Sequence, residues 1–337
     1  MKAIGYTING AIDRSDALKD IEIKRPKATG HDLLVKVEAV SVNPVDVKVR
    51  TSRAAESDTP VVLGWDAVGE VVETGDKVSR FRTGDKVWYA GAINRPGTNA
   101  EFHLVDARIV GHAPKSIETA AAAALPLTTL TAQEMIFDRL KVTDPVPGAP
   151  NAIVVIGGAG GVGSIAIQLL REQTDLTIIA TASRPETQDW VKELGAHHVV
   201  DHSKPLPEQI ATLAIGTPAF VFSTNHTETY VGQIAEFIAP QGRFGLIDDP
   251  VGFDIMPFKG KAVSIHWELM FTRSLFTTED ITRQGEILDT VAGLIDAGKV
   301  RSTVTETFGT INAENLKRAH ALIESGKARG KIVLEGF

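Results

Sequence analysis

From about residue 150 the chain alternates two kinds of apolar pattern. Short runs dense in β-branched residues occur at 153–156, 176–182, 198–201, 219–222, 242–247 and 262–267, and apolar residues between them recur at helical spacing. Six strands with intervening helices predict an α/β fold with a doubly wound parallel sheet. Residues 1–110 read differently, as short strands separated by turns: 33–40, 61–72, and strands restarted by Gly75-Asp76 and Gly84-Asp85 on either side of Phe81. That is the pattern of a small β-barrel or sandwich. Within it, Pro44 breaks the pattern at 41–50 and polar residues cluster. An alanine-rich helix at 119–125 stops at Pro126 and reads as a passage between domains. A helix with Leu130, Met135, Ile136 and Leu140 follows, then a turn-rich lead at 144–150. Pro185 is placed to start a helix that Gly195 ends. Beyond the sheet, Thr278 is expected to cap a helix carrying Ile281, Leu288, Val291 and Ile295, with Gly298 as its stop. A second helix is expected near 314–323, and the chain closes on a strand at 331–334.

The first of the six strands runs into Gly157-Gly158-Ala159-Gly160-Gly161-Val162-Gly163. Glycines at 157, 160 and 163 suit three tasks: a sharp turn, close approach of backbone to a pyrophosphate, and tight packing of helix on strand. Gly161 and Val162 open the helix, whose first N–H groups and positive dipole end suit phosphates. An ordinary strand-to-helix turn is the competing reading, and the strand before and helix after favour the nucleotide site.

Composition narrows the partners. The chain has 337 residues, enough for about two domains, with 43% hydrophobic and 23% charged residues. A net charge of −7 argues against nucleic acid or an anionic membrane as main partner. With no cysteine, disulfides, thiol catalysis and cysteine-ligated zinc are all excluded. The N-terminus lacks an apolar signal region, and no run nears the roughly 18 apolar residues of a membrane span. A cytoplasmic enzyme is the expectation.

Gly75-x-x-Val78-x-x-Phe81-x-x-Gly84-Asp85-x-Val87 in the β-rich part, the glycine turn in the sheet, and the closing Gly330-Lys331-Ile332-Val333-Leu334 together resemble the medium-chain dehydrogenase/reductase superfamily over essentially the whole chain. Within it the sequence is similar to the zinc-free quinone oxidoreductase branch, including zeta-crystallin-like proteins, and especially to members labelled zinc-type alcohol dehydrogenase-like. The resemblance implies a GroES-like barrel (1–125), completed by a C-terminal segment (271–337), with a Rossmann domain (126–270) inserted and an active site in the cleft between. It also implies where a catalytic zinc would be ligated. The first cysteine ligand and the aspartate three residues later match Asn43 and Asp46. The Gly-His-Glu histidine matches Trp65 in Gly64-Trp65-Asp66, and a further cysteine matches Leu127, four residues before Thr131. The four-cysteine structural lobe has no counterpart. No metal is expected.

For the cofactor, NAD-preferring sites end the second strand in an acid. Here it ends Ala182-Ser183-Arg184, and Ser183 and Arg184 can bind a 2′-phosphate, so NADPH is expected. His202 matches a tyrosine lining the adenosine phosphate in quinone reductases; capping a loop is an equal alternative. Ser223, Thr224, Leu246 and Ile247 lie at carboxyl ends of strands, where the cofactor should lie. Thr131 matches a nicotinamide-contacting threonine, and Arg329 resembles a family arginine near the cofactor. Without metal, hydride delivery is easiest to a quinone or an α,β-unsaturated carbonyl, whose conjugation spreads the charge. Asn43, Lys48 and Tyr89 are the candidates for the catalytic pocket, although Lys48 stands where quinone reductases often have tyrosine and Tyr89 could equally be barrel core. Trp65 and Trp267 are candidate walls of the cleft. No residue reads as an indispensable acid or base, and water can supply the proton. A homodimer or homotetramer is expected from the resemblance. The competing functions are a zinc alcohol dehydrogenase and a non-catalytic NADPH-binding protein, sensor or crystallin-like.

Overall fold

The computed structural model describes residues 1–56 and 59–337. The chain forms two compact units, Met1–Leu130 together with Phe271–Phe337, and Thr131–Met270. The division thus falls inside the helix Pro126–Gln133, five residues past the one expected at 125/126.

The second unit is built on six parallel strands in the spatial order His198–Val200, Thr177–Thr181, Ala152–Ile156, Phe220–Ser223, Arg243–Leu246, Ser264–Trp267. The order reverses beside Ala152–Ile156, so that strand sits at the switch point where a doubly wound sheet binds nucleotides. Its five residues are all buried, which is why they read as an unbroken apolar run and not as an alternation. On one side Val154, Ile179, Val221, Phe244 and Leu246 pack with Ile234, Phe237 and Phe258. The expected helix through Met135 is present, but its second half, Glu134–Arg139, is a π-helical turn.

The first unit is a β-rich body. One sheet runs in the order Val304–Thr307, Lys331–Glu335, Asp32–Val42, Asp66–Thr74, Lys86–Tyr89, Gly111–His112; Phe102–Asp106 pairs with the early half of Asp32–Val42. The closing strand Lys331–Glu335 pairs antiparallel with the late half of the same strand, Ile332 opposite Val42. The C-terminal segment therefore completes the sheet begun by the N-terminal one, as the resemblance implies. A smaller sheet holds Lys19–Glu22, Lys2–Tyr6 and Val61–Val62.

Three local expectations are corrected. The segment at 44–52 is a helix, Pro44–Ser52. Pro44 fixes the first helical position, and the Asp46 carboxylate accepts from the Asn43 N–H at 2.8 Å. The run at 61–72 is two strands, because Gly64 takes φ +97° between them; a Cβ there would lie 2.6 Å from Asn99 Oδ1 and Thr98 Oγ1. Thr278 does not cap the long helix. Its hydroxyl bonds Asp280 in a preceding turn, and the helix begins at Arg283 after Thr282. Among the described residues no helix is long and apolar enough to cross a membrane.

Candidate functional site

The glycine turn is shaped by what surrounds each α-carbon. Gly157 has φ +78°, and a Cβ there would lie 2.3 Å from Thr224 Oγ1. A Cβ on Gly163 would lie 2.3 Å from the Gly157 carbonyl oxygen and 2.7 Å from Gly158 Cα, so the helix Gly161–Gln173 can press against the strand only through hydrogen. Gly160 is different: a Cβ there would meet nothing nearer than the Gly157 oxygen at 3.4 Å. Its bareness is not needed for packing. It leaves room beside a helix N-terminus whose first N–H groups have no intrahelical partner. That geometry fits a pyrophosphate.

A hydrogen-bond relay runs outward from this turn. The Gly157 N–H donates to Thr181 Oγ1 at 3.0 Å, and the same hydroxyl is hydrogen-bonded to His202 Nδ1, 3.3 Å away. Burial holds the His202 pKa below its usual value against the opposing pull of Asp201, and nearby His226 and Arg184 push the same way as burial. Arg184 immediately precedes the helix Pro185–Glu193 that Pro185 opens. Its guanidinium is 3.2 Å from Glu186 and its side chain is 44% exposed, so it is accessible to a ligand. Ser183, beside it, is half-buried. Gly157, Ser183, Arg184, His202 and Thr224 thus gather at the carboxyl ends of the strands, with Thr181, Asn225 and His226 as unforeseen neighbours. Ile247 is half-buried at the end of its strand, whereas Leu246 is core. Ser223 is also fully buried: it bonds Thr227 Oγ1 at 2.8 Å, and Thr227 in turn donates to Asp248.

The catalytic candidates lie in the first unit, in three different environments. Lys48 is exposed on the helix Pro44–Ser52. Tyr89 is fully buried, stacked on His103 with ring centroids 5.5 Å apart. His103 Nε2 is 2.9 Å from the Pro96 carbonyl and must donate to it, so His103 Nδ1 accepts from the Tyr89 hydroxyl at 3.1 Å. Burial drives the His103 pKa down to about 4 and the Tyr89 pKa up. The ring pair is neutral and its hydroxyl proton is committed internally. Trp65 is core as well, its indole N–H bonded to Ala92 and its ring edge-on to Phe271 at 6.0 Å. Trp267 is 55% exposed.

Asn43 sits in a buried polar cluster that no local motif announced. Asp66 Oδ2 accepts from Ser41 Oγ at 2.6 Å and Asn43 Nδ2 at 2.7 Å, and Asp66 Oδ1 accepts from the Leu127 backbone N–H at 2.7 Å. The fourth donor is Lys331. Its Nζ reaches Asp66 Oδ2 at 3.3 Å, the Val42 carbonyl at 3.1 Å and, in a short contact, Asn43 Oδ1. Asp66 and Asn43 are 0% and 1% exposed, Lys331 3%. Every partner of the carboxylate is a donor and every partner of Nζ an acceptor, which fits an ion pair. Burial lowers the Lys331 pKa, opposed by Asp66 and Asp46. Burial likewise raises Asp46, to about 7, against its backbone hydrogen bonds and Lys331. Lys331 opens a strand whose next three residues are buried, so a lysine there was a signal that could have been read.

Thr131 is buried near the end of its helix, and Arg329 is half-buried just before the last strand.

A switch-point glycine turn with a basic residue after the second strand, joined in one chain to a β-rich unit completed from its C-terminus, defines a nucleotide-dependent oxidoreductase of the two-domain kind. Residues 29–115 match the alcohol dehydrogenase GroES-like domain and residues 194–334 the zinc-binding dehydrogenase family. A zinc-type alcohol dehydrogenase-like protein of Staphylococcus aureus is 38% identical over 339 residues, covering 99% of each chain. A Rhizobium etli CFN 42 structure, described as that of a zinc-dependent alcohol dehydrogenase protein, superposes with a TM-score of 0.99 at 61% identity, covering 100% of this chain and 98% of that one. Escherichia coli quinone oxidoreductase shares the fold at TM-score 0.83 and 20% identity, covering 100% of both chains. The chain belongs to the medium-chain dehydrogenase/reductase superfamily.

Zinc is implied by several of these names, and the residues here do not fit it. Of the four positions that match zinc-dependent relatives, Asn43 is spent between Lys331 and Asp66, Trp65 is core, and Leu127 offers only a backbone N–H already given to Asp66. Asp46, the fourth, accepts the Asn43 N–H, and beside Trp65 stands a second carboxylate, Asp66. Its lone pairs point at four donors. Among the described residues no group of three or more His, Cys, Asp or Glu could hold an ion.

Proposed function

We propose that the chain is an NADPH-dependent reductase that transfers hydride, without a metal, to a quinone or an α,β-unsaturated carbonyl. The observation that carries the reading is the end of the second strand, where Ser183 and an accessible Arg184 stand in place of an acid. A guanidinium can hold a 2′-phosphate by two parallel hydrogen bonds, and an acid there would repel it. The E. coli quinone oxidoreductase of the same fold was solved with NADPH. Gly161, Val162 and Gly163 bind the pyrophosphate through backbone N–H groups beside the bare α-carbon of Gly160, with His202 lining the adenosine phosphate. Thr131 keeps the nicotinamide contact, and Arg329 the place near the cofactor, that the resemblance gives them.

When bound, the nicotinamide supplies hydride. The chain supplies orientation and a few hydrogen-bond donors, and asks the acceptor to carry its own developing charge. That demand follows from the first unit: the cation nearest Asn43 is consumed by Asp66, and the Tyr89 proton by His103. Neither can readily polarise a simple ketone. Lys48 is the exposed donor on the substrate side, and the proton comes from water. Assembly as a homodimer or homotetramer completes the reading, and sedimentation velocity measures it.

The test is cofactor titration followed by turnover. NADPH should bind at least 10-fold more tightly than NADH. Arg184→Ala should weaken NADPH about 10- to 100-fold, the 1.5–3 kcal/mol typical of hydrogen bonds to charged groups, and leave NADH unchanged. Equal affinity for both cofactors in the wild type would overturn the NADPH assignment. A panel of quinones and enones with NADPH then tests the reaction; binding without turnover of any of them would favour a sensor.

A further inference from the structure

Four segments distant in sequence converge on one buried point. Ser41 and Asn43 come from the end of one strand, Asp66 from the start of the next, Leu127 from a helix N-terminus, and Lys331 from the closing strand. Three of these residues, Asn43, Asp66 and Leu127, include or adjoin the positions at which zinc-dependent relatives place metal ligands. In this chain Asn43 and Asp66 bind an ammonium nitrogen, and Leu127 binds the other oxygen of Asp66.

We infer that Lys331 is the built-in cation of this cluster: it takes the place a metal ion would take among these positions, fixes Asp66 and Asn43 through its hydrogen bonds, and closes the site to divalent metals. Three acceptors match the three N–H groups of an ammonium: Val42 O, Asn43 Oδ1 and Asp66 Oδ2. Lys331 is 3% exposed and Asp66 0%, so neither charge can turn to water if the other is removed. Through Asp66 the charge also reaches the helix Pro126–Gln133, because Asp66 Oδ1 accepts the Leu127 N–H in that helix's first turn. Asp66 thus acts as a tertiary cap, and Lys331 holds the cap in place. Lys331 is a positioning residue: its nitrogen is enclosed by protein acceptors, and none of its three N–H groups is left for a substrate. The cluster does not depend on which acceptor the enzyme reduces, and the tests read metal content and stability rather than turnover, so their failure is separate from failure of the reductase reading.

Wild-type protein incubated with excess Zn²⁺ or Co²⁺ and then desalted should retain far less than one equivalent, with no tetrahedral Co²⁺ absorption band. One tightly held equivalent, lost in Asp66→Asn, would overturn the inference. In the native protein Lys331 should resist acetic anhydride while exposed lysines react, as peptide mass spectrometry reads directly; acetylation at the rate of exposed lysines would overturn it equally. Lys331→Met should lower Tm by roughly 5–10 °C, the scale expected for a buried charge left without its partner. Lys331→Met combined with Asp66→Asn should recover at least half of that loss, because both charges go together. A double variant no better than the sum of the singles would overturn the pairing. If Lys331→Met alone is insoluble and the double variant is soluble, the pairing is confirmed by that contrast; if neither folds, the two wild-type measurements decide.

Discussion

The glycine turn of one unit and the lysine cluster of the other handle polar groups in opposite ways. The turn keeps its donors near solvent: backbone N–H groups at a helix start, room beside Gly160, and an exposed guanidinium paired with an exposed carboxylate, Glu186. The cluster closes every valence. The Asp66 carboxylate accepts four hydrogen bonds and Lys331 donates three, all in the interior. A site meant for a charged ligand keeps donors where the ligand can reach them. A site that holds its charge covalently satisfies them within the fold. The contrast separates where this enzyme binds from where its relatives with cysteine and histidine ligands would bind a metal.

The largest expected effect breaks the comparison at the turn. Gly163→Ala would drive a methyl group to 2.3 Å from a backbone carbonyl, which no side-chain motion can relieve. It should cost about 4 kcal/mol or more, or prevent folding, and abolish cofactor binding. Gly160→Ala is its control. The added methyl meets only one atom, at 3.4 Å, so Tm should hold within about 2 °C while cofactor affinity falls at least 10-fold. Thermal unfolding and cofactor fluorescence read the two arms. Parallel behaviour of the two variants would mean that Gly160, too, is kept bare for packing.

The difference also decided what could be read from the sequence. The turn is local: strand, glycines and helix lie within residues 152–173, so their spacing declared them, as did the residue pair at 183–184. The parallel sheet was legible because its central strands are buried on both faces and appear as continuous apolar runs. The cluster was not legible because it is assembled by pairing. Register sets Asp66 opposite Ser41, and Ile332 opposite Val42, and only then do Asn43 and Lys331 meet. Resemblance marked Asn43, Trp65 and Leu127 as places where ligands were missing, and could not say what filled them. The short helix at 44–52 escaped because its signal was a proline and an aspartate three positions after Asn43, which also read as a broken strand.

A pH series sharpens the comparison from the cluster side. Asp46 is 1% exposed, faces Lys331 and Asp66, and has a pKa raised from 3.8 to about 7 in the folded protein. Between those values the folded state holds a proton that the unfolded chain releases. Its contribution to stability is therefore present at acid pH and is lost as pH rises through about 4 to 7. The size is on the order of 2–4 kcal/mol. Asp46→Asn mimics the protonated form, so the variant should gain on the wild type across that window and keep the advantage above it. Urea titrations at pH 4.5, 6 and 8 measure the gap. A gap that stays constant or narrows with pH would mean that Lys331 keeps Asp46 ionised at all three.

The smallest effect is expected at Tyr89, and it tests which side of the comparison that residue belongs to. Tyr89 was a candidate donor to a substrate carbonyl, and a donor must have a proton to give. The geometry directs that proton to His103 Nδ1, since the other ring nitrogen is already bound to the Pro96 carbonyl. Burial keeps His103 neutral well below pH 6, with a pKa of about 4, so the ring remains an acceptor throughout the working range. Tyr89→Phe removes one hydroxyl and leaves one buried nitrogen without a donor, a loss of about 1–2 kcal/mol in stability. The turnover number with the best quinone or enone should stay within about 2-fold of wild type, since an interaction that is not strengthened in the transition state does not raise kcat. A 100-fold fall in kcat with Tm unchanged would place the hydroxyl in the reaction, and Tyr89 would then belong with the open turn instead of the closed interior.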